Sequence, residues 1–268
     1  MEVLIAKHLP SHNTTWAAVC LNNNNYFIFF KLKMYIVDQK LKNFSAIDPD
    51  FFFTVSDTHK DWVHCFPEHT QINWMCKTFG GPGIALDIGA HCGTWTVALS
   101  RAFTHVFSFE PNPRVFNNLC ANLALRNLAN VDARRCCLSS EKKTSTYFFR
   151  SPDGGGNGIE PLSGSIDAAC PQMPVETTTL DCLFAADSPK ITFIKIDVEG
   201  HELDVLRGAT HLIARDSPPI VVESWASWRE NDGIPAIRLR EELFAYLEAL
   251  QYTLRPIHGH DEMFLCTR

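Results

Sequence analysis

The stretch that most constrains this 268-residue chain is Ile84-Ala-Leu-Asp-Ile-Gly-Ala-His-Cys-Gly93. Its apolar residues at alternate positions predict a short buried strand, which runs into a turn containing Gly89 and Gly93 and then a helix from about Thr94. Glycine lets a backbone come close to a ligand, and open α/β sheets bind their ligands at the carboxyl ends of the strands. The stretch therefore predicts a nucleotide-type cofactor at the end of the first strand. The alternative is a tight turn that serves packing alone.

Strand and helix patterns alternate through the rest of the chain after Gly80-Gly-Pro-Gly83. Predicted segments include a third strand at Val131–Leu138, a helix from about His201 to Ala214, and two final strands joined as an antiparallel hairpin. We therefore predict an α/β domain over residues 80–268, and an N-terminal extension of unclear role over residues 1–79.

Five of the predicted strands of this domain end in a polar residue. The residues at these five ends are Asp87, Glu110, Ser139, Asp197 and Glu223. Because the carboxyl ends of parallel strands meet at one edge of a sheet, we expect these side chains to line one crevice.

Composition excludes several other classes of protein. The net charge is -6, and no basic run marks a path for nucleic acid. The ten cysteines form no C-x-x-C pair, which indicates reduced thiols rather than a disulfide framework. The first residues lack the pattern of a secretory signal, and the apolar runs are too short for a membrane span. We therefore expect a soluble, cytoplasmic protein.

Glu110 and the segment Lys195–Glu202 are the main candidates for chemistry. Glu110 lies 21 positions after Gly89, and a carboxylate there can accept both ribose hydroxyls of an adenine nucleoside. Asp197, at a strand end, is placed to contact the cofactor or a substrate hydroxyl. His201 is a possible general base, because imidazole titrates near neutral pH. The alternative for His201 is a solvated residue in the first turn of a helix.

Other clusters are less specific. Two groups of metal-ligand residue types have no recognised ligand spacing, so we predict no metal site. These groups are His59, His64, Cys65 and His69, and His258, His260 and Asp261. Trp225 and Trp228 could form a stacking wall for a sugar ring or could pack in the core. The long loop Ser151–Pro174 is rich in Gly, Pro and Ser, and loops of that length are uncommon unless they have a function or are disordered.

With these residues in view, the chain resembles the FkbM-type methyltransferases, a branch of the class I S-adenosylmethionine-dependent enzymes. The resemblance is carried by six pieces in order: Leu86–Gly93, Phe107–Pro113, Thr179–Asp181, Phe193–Glu202, Val205–Ala209 and Pro219–Glu223. It implies a Rossmann-like, doubly wound sheet of seven strands, mostly parallel with an antiparallel last strand. It also implies O-methylation, commonly of sugars or hydroxylated natural products, with S-adenosylmethionine as the cofactor.

The resemblance and the strand ends together define the predicted site. The predicted cofactor-binding residues are Asp87, Gly89, Ala90, His91, Gly93, Glu110, Ser139 and Asp197. The predicted catalytic bases, in falling order, are Asp197, His201 and Glu223. His91 departs from the family pattern, which often has Asn there.

The sequence therefore predicts an S-adenosylmethionine-dependent O-methyltransferase that acts on a small-molecule or glycan hydroxyl. One alternative is an RNA ribose 2′-O-methyltransferase, built around Lys195, Asp197 and Glu223. The other is a non-catalytic protein that uses the same fold as a scaffold.

Overall fold

The computed structural model describes residues 3–5, 15–20, 27–32, 69–150, 155–159, 170–257 and 261–268. Contacts divide the chain into a unit of residues 1–51 and a unit of residues 52–268. In the first unit, β1 (Val3–Ile5), β2 (Thr15–Cys20) and β3 (Phe27–Leu32) form an antiparallel sheet in chain order. The predicted domain division at residue 79 stays a prediction.

The second unit is built on a seven-stranded sheet. Its strands are β4 (Gly81–Ile88), β5 (Phe103–Phe109), β6 (Val131–Arg134), β11 (Ile191–Ile196), β12 (Ile220–Glu223), β13 (Thr253–Pro256) and β14 (Met263–Thr267). They lie in the order β13-β14-β12-β11-β4-β5-β6. The last strand, β14, is antiparallel to both of its neighbours, and the pairs from β12 to β6 are parallel. The predicted fold, its antiparallel last strand and the terminal hairpin are confirmed.

Helices cover both faces of this sheet. They are α1 (His69–Phe79), α2 (Thr94–Ala102), α3 (Pro113–Leu125), α4 (Leu180–Leu183), α5 (Glu202–Arg207), α6 (Thr210–Asp216) and α7 (Ala236–Ala249). Alternate residues of each strand point to opposite faces. On β11, Ile194 and Ile196 pack in the cluster that contains α5, α6 and α7, whereas Phe193 packs in the cluster that contains α1 and α2. The sheet is therefore buried on both sides, as its apolar strands require.

The third strand is shorter than the sequence predicted. It ends at Arg134, and the next residues enter a second sheet as β7 (Cys137–Leu138). That sheet has the order β7-β10-β8-β9, with β8 (Thr144–Phe148), β9 (Gly158–Ile159) and β10 (Gln172–Thr178). The prediction of one strand over 131–138 is wrong, because its apolar residues serve two sheets. Ser139 accordingly follows a strand of the small sheet.

The predicted helix from His201 to Ala214 is divided into α5 and α6 at Gly208. A Cβ at Gly208 would lie 2.0 Å from the backbone oxygen of Ser139. The two backbone segments therefore pack together there with no room for a side chain. Asp181 caps the second helix, because its two carboxylate oxygens accept hydrogen bonds from the amides of His211 at 3.0 Å and Leu212 at 2.8 Å. The single predicted helix is therefore wrong, and the contact at Ser139 explains the break.

Within the described ranges, no helix combines the length and the apolar character needed to cross a bilayer. Eight of the ten cysteines have described side chains, and these eight carry free thiols.

Candidate active site

The turn after β4 holds the ends of neighbouring strands together. Gly89, His91 and Gly93 all have positive φ angles, of 75°, 51° and 97°. The amides of Gly89 and Ala90 donate to the carbonyl of Phe109, each at 3.0 Å. A Cβ at Gly89 would lie 1.7 Å from the backbone oxygen of Asp197. Gly89 is therefore required for the close approach of β4 and β11, and its predicted cofactor contact stays a prediction.

Glu110 lies at the end of β5 with its carboxylate held in place by backbone amides. His91 donates to Oε2 at 3.0 Å and Asn112 donates to Oε1 at 2.8 Å. The side chain is 6% exposed. Burial raises the pKa of Glu110 to about 7, and the two amides oppose that rise. Each carboxylate oxygen can accept a second hydrogen bond, so the residue retains the acceptors that a ribose diol requires.

A buried lysine joins the ends of β4 and β11. Lys195 is 2% exposed, and its Nζ donates to the carbonyl of Gly89 at 2.8 Å. The same Nζ lies 3.5 Å from Asp87 Oδ1 and 3.3 Å from Asp197 Oδ2. Asp87 is fully buried and also accepts a hydrogen bond from Thr96 at 2.5 Å, whereas the side chain of Asp197 is 30% exposed. Asp197 is therefore the solvent-exposed member of this ion-pair network.

Three carboxylates converge beyond Lys195. Asp197, Glu199 and Glu223 each offer an oxygen within 4.8 Å of the other two. Burial, followed by the charge of Asp197, raises the pKa of Glu199 to about 6. The pKa of Glu223 lies well above its usual range because of burial and the neighbouring carboxylates of Asp197, Glu199 and Glu202. Such crowding makes Glu199 and Glu223 bind a proton more tightly than ordinary carboxylates do, which suits proton transfer.

Glu199 lies in the candidate segment Lys195–Glu202 but is not among the predicted site residues. Glu199 has a φ of 58°, so the chain turns back at this residue. Its Oε1 accepts a hydrogen bond of 2.7 Å from the amide of Gly156, in the described part of the loop 151–174. The positive φ could not be read from a glutamate, but an acid directly before Gly200 was the available signal.

A group of three carboxylates could also hold a divalent metal ion. The prediction that no residue binds a metal stays a prediction. Of the two His-rich segments that were weighed, His59, His64, Cys65, His258 and His260 lie outside the described residues, as does the side chain of His69.

His201 and Ser139 contact each other at the other side of β11's end. The Nε2 of His201 and the hydroxyl of Ser139 are 3.0 Å apart, and the Nδ1 lies 3.6 Å from Asp204 Oδ2. Both residues are buried. The imidazole therefore has protein partners at both nitrogens and links the small sheet to the start of α5. A catalytic role for His201 and a cofactor role for Ser139 stay predictions.

The two tryptophans after β12 differ in their environment. Trp225 is 5% exposed and packs with Ile234 and Ala236, whereas Trp228 is 48% exposed. The guanidinium of Arg229 lies 5.4 Å from the ring centre of Trp225 and 4.5 Å from that of Trp228. Trp225 therefore packs its ring against the core, and its buried indole Nε1 completes no hydrogen bond of normal geometry.

Comparison with known proteins gives a family match. The model of the family described as "Methyltransferase FkbM domain" matches residues 87–254. Hexuronic acid methyltransferase AglP of Haloferax volcanii is 34% identical over 166 residues, which are 60% of this chain and 65% of the relative. Methyltransferase 1 of Beauveria bassiana is 27% identical over 149 residues, 48% of this chain and 59% of the relative. The chain thus spans less than two thirds of either relative.

Among solved structures, the chain is similar to the methyltransferase FkbM from Methylobacillus flagellatus KT. The TM-score is 0.47 at 18% sequence identity, and the match covers 69% of this chain and 43% of that chain.

Proposed function

The chain belongs to the FkbM family of methyltransferases, and from this premise we propose that it transfers a methyl group from S-adenosylmethionine to a hydroxyl of a sugar, glycan or hydroxylated small molecule. The name of the Haloferax relative supports a sugar as the acceptor. An RNA ribose and a non-catalytic scaffold role are the competing outcomes of the experiment below.

The observation that carries the proposal is the position of Glu110. Its two oxygens each accept one backbone amide, from His91 and Asn112, and so the carboxylate is fixed at the strand end with acceptor capacity left over. An adenosine ribose supplies two adjacent hydroxyl donors. The acceptor oxygens of Glu110 therefore fit the hydroxyl donors of the ribose of S-adenosylmethionine, and the turn Gly89–Gly93 lies beside Glu110.

The chemistry at the other end follows from Lys195, Asp197 and Glu223. The bound cofactor supplies a methyl group on a positively charged sulfur, and the remainder leaves as a neutral thioether. Lys195 holds Asp197 in place at 3.3 Å, so the open carboxylate has a fixed direction. Glu223, whose pKa is raised by burial and by Asp197, is the stronger base of the two when it is ionised.

We therefore assign proton removal from the acceptor hydroxyl to Glu223, with Asp197 as its partner. The proton of the hydroxyl ends on the Glu223 carboxylate as the new carbon–oxygen bond forms.

Calorimetry with S-adenosylmethionine tests the cofactor. We expect saturable binding with a dissociation constant of about 1 µM to 1 mM. Glu110→Gln replaces one carboxylate oxygen by a donor, and affinity should fall by about tenfold. Glu241→Gln, on the exposed surface of α7, is the matched control. If the wild-type protein shows no saturable heat of binding, the methyltransferase proposal is wrong and the non-catalytic scaffold role is favoured.

Transfer of a labelled methyl group to a panel of glycosides, hydroxylated metabolites and capped RNA tests the acceptor. Product on a sugar or small-molecule hydroxyl supports the proposal. Product on RNA alone, with affinity that falls steeply as salt rises, would replace it by ribose 2′-O-methylation.

A further inference from the structure

The carboxylate group of Asp197, Glu199 and Glu223 contains polar atoms without hydrogen-bond partners, and the proposed methyl transfer gives no role to Glu199 or to the neighbouring Trp225. Glu199 Oε2 and Glu223 Oε2 are buried acceptors without a hydrogen-bond partner. Trp225 Nε1 is a buried donor without one, on a side chain that is 5% exposed. A buried polar atom without a partner costs free energy, so each of these atoms calls for an explanation.

The three residues lie close together beyond the ends of β11 and β12. Glu199 and Glu223 offer oxygens within 4.8 Å of each other. The indole of Trp225 is close enough to lower the pKa of Glu199, although it completes no hydrogen bond of normal geometry. Trp225 follows Glu223 by two positions, and Glu199 is fixed by its Oε1 contact with Gly156. One oxygen of Glu199 is thus anchored, and the other is buried without a hydrogen-bond partner.

The chemistry of this set identifies its ligand. A metal ion would satisfy the carboxylate oxygens but would be repelled by the indole N–H, which is a donor. A hydroxyl group both donates and accepts, so adjacent hydroxyls can satisfy all three atoms. A carboxylate on the ligand would be repelled, since the carboxyl groups of Asp197, Glu199 and Glu223 already lie within 4.8 Å of one another.

We propose that Glu199, Glu223 and Trp225 form an acceptor subsite for adjacent neutral hydroxyls, so that this chain methylates an uncharged polyol or sugar ring in preference to a uronic acid. The inference rests on the proposed function and deepens it by naming the charge of the acceptor. Glu199 and Trp225 are the residues that decide it.

Matched pairs of glycosides test this subsite. Methyl glucoside and methyl glucuronide, and the corresponding galactose and mannose pairs, differ only in the neutral or carboxylate group at C6. We expect kcat/KM for the neutral member to exceed that for the uronate by about tenfold or more.

Two variants examine the assigned residues. Glu199→Gln removes the charge at nearly constant shape, and the preference for the neutral sugar should shrink by about tenfold. Trp225→Phe removes the donor, and KM for the neutral sugar should rise by about fivefold with kcat much less affected. Glu241→Gln and Trp74→Phe, both on exposed surfaces, are the controls. Unchanged cofactor affinity shows that the variants fold.

Each other outcome contradicts a defined statement. A preference for the uronate, or variants that behave as their controls, overturns the subsite and leaves the proposed function intact. Transfer that stops on chelation and returns with Mg²⁺ assigns the carboxylates to a metal and also overturns the subsite. Cofactor binding without transfer to any sugar overturns the sugar acceptor and the subsite together.

Discussion

Lys195 is the residue on which the charges of the candidate site depend. It is 2% exposed, and its ammonium group contacts the carbonyl of Gly89 and the carboxylates of Asp87 and Asp197. Asp87 is fully buried, so its negative charge is stable in the protein only because Lys195 and Thr96 are beside it. A single cation therefore fixes a buried acid and an open acid at the same time.

Lys195→Met should strongly destabilise the fold. It leaves the buried charge of Asp87 without its cation, and breaking a buried pair in this way costs about 3 to 5 kcal/mol. The free energy of unfolding in urea measures the loss. Lys143→Met is the matched control, because Lys143 pairs with Glu141 at 3.2 Å on the exposed surface and should cost less than about 1 kcal/mol. Equal losses of unfolding free energy in the two variants would show that the buried Lys195–Asp87 pair stabilises the fold no more than the exposed pair does.

Individual site residues were predictable from sequence where the strand pattern alone locates them. Glu110, Asp197 and Glu223 were selected as strand ends, and the structure places each at the end of a parallel strand. Glu199 was not among the predicted site residues, and its direction depends on a left-handed backbone that glutamate rarely adopts. The partners of His201 were also missed, since Ser139 is 62 residues away in the chain.

Gly89 sets the spacing between two elements, β4 and β11. Gly89→Ala should destabilise the protein beyond the cost of its positive φ, because the new Cβ would lie 1.7 Å from the backbone oxygen of Asp197. The left-handed conformation costs about 1 kcal/mol, and the overlap adds about 2 kcal/mol or more. Unfolding in urea gives the difference.

Gly233→Ala isolates the conformational part of that cost. Its φ of 76° matches the 75° of Gly89, but nothing lies within 4 Å of its added Cβ. We expect a loss of only about 1 kcal/mol. If Gly89→Ala were no more harmful than Gly233→Ala, the strand ends would have room to separate, and the packing role of Gly89 would be wrong.

Asp181 serves a second element, α6, which has no side-chain cap of its own. Its carboxylate accepts the amides of His211 and Leu212 at 3.0 and 2.8 Å. Asp181→Ala should lower the free energy of unfolding by about 1 kcal/mol, as the loss of a helix cap does. Asp187→Ala, on the exposed surface, should change it by less than about 0.5 kcal/mol. If the cap did not stabilise α6, Asp181→Ala and Asp187→Ala would have the same free energy of unfolding.

Elements were predictable where local pattern and tertiary structure agree. Helix α3 begins at Pro113 after the Asn112 cap, and Asn followed by Pro is a local signal for the start of a helix. The predictions of two elements were wrong because tertiary contacts override the local pattern. The apolar run 131–138 is divided between two sheets, and the helix after Glu202 is broken where Gly208 meets Ser139. Neither contact leaves a local signal in the sequence.

At the scale of the whole molecule, one edge of the sheet collects an excess of buried acids. Burial raises the pKa of Glu110 and of Glu202 to about 7, and that of Glu199 to about 6, from the ordinary value of 4.5. An acid whose folded pKa is raised binds its proton more tightly in the folded state. Between about pH 4.5 and pH 7 the folded protein therefore holds more protons than the unfolded chain, and stability falls as pH rises.

Glu202→Gln tests this linkage without touching the proposed cofactor or acceptor contacts. Its amide oxygen can still accept the amides of Val198 and Gly200, which bond to Glu202 Oε1 at 3.0 and 3.1 Å. Relative to wild type, the variant should gain on the order of 2 to 3 kcal/mol in unfolding free energy between about pH 5 and about pH 7.5. Taking the difference removes the titration of histidines common to both proteins. Glu241→Gln, at an exposed position of α7, should show the same change of unfolding free energy with pH as wild type. If the unfolding free energy of Glu202→Gln also follows that of wild type across this pH range, burial does not raise the pKa of Glu202. The excess of protons in the folded state must then come from Glu110, Glu199 and Glu223.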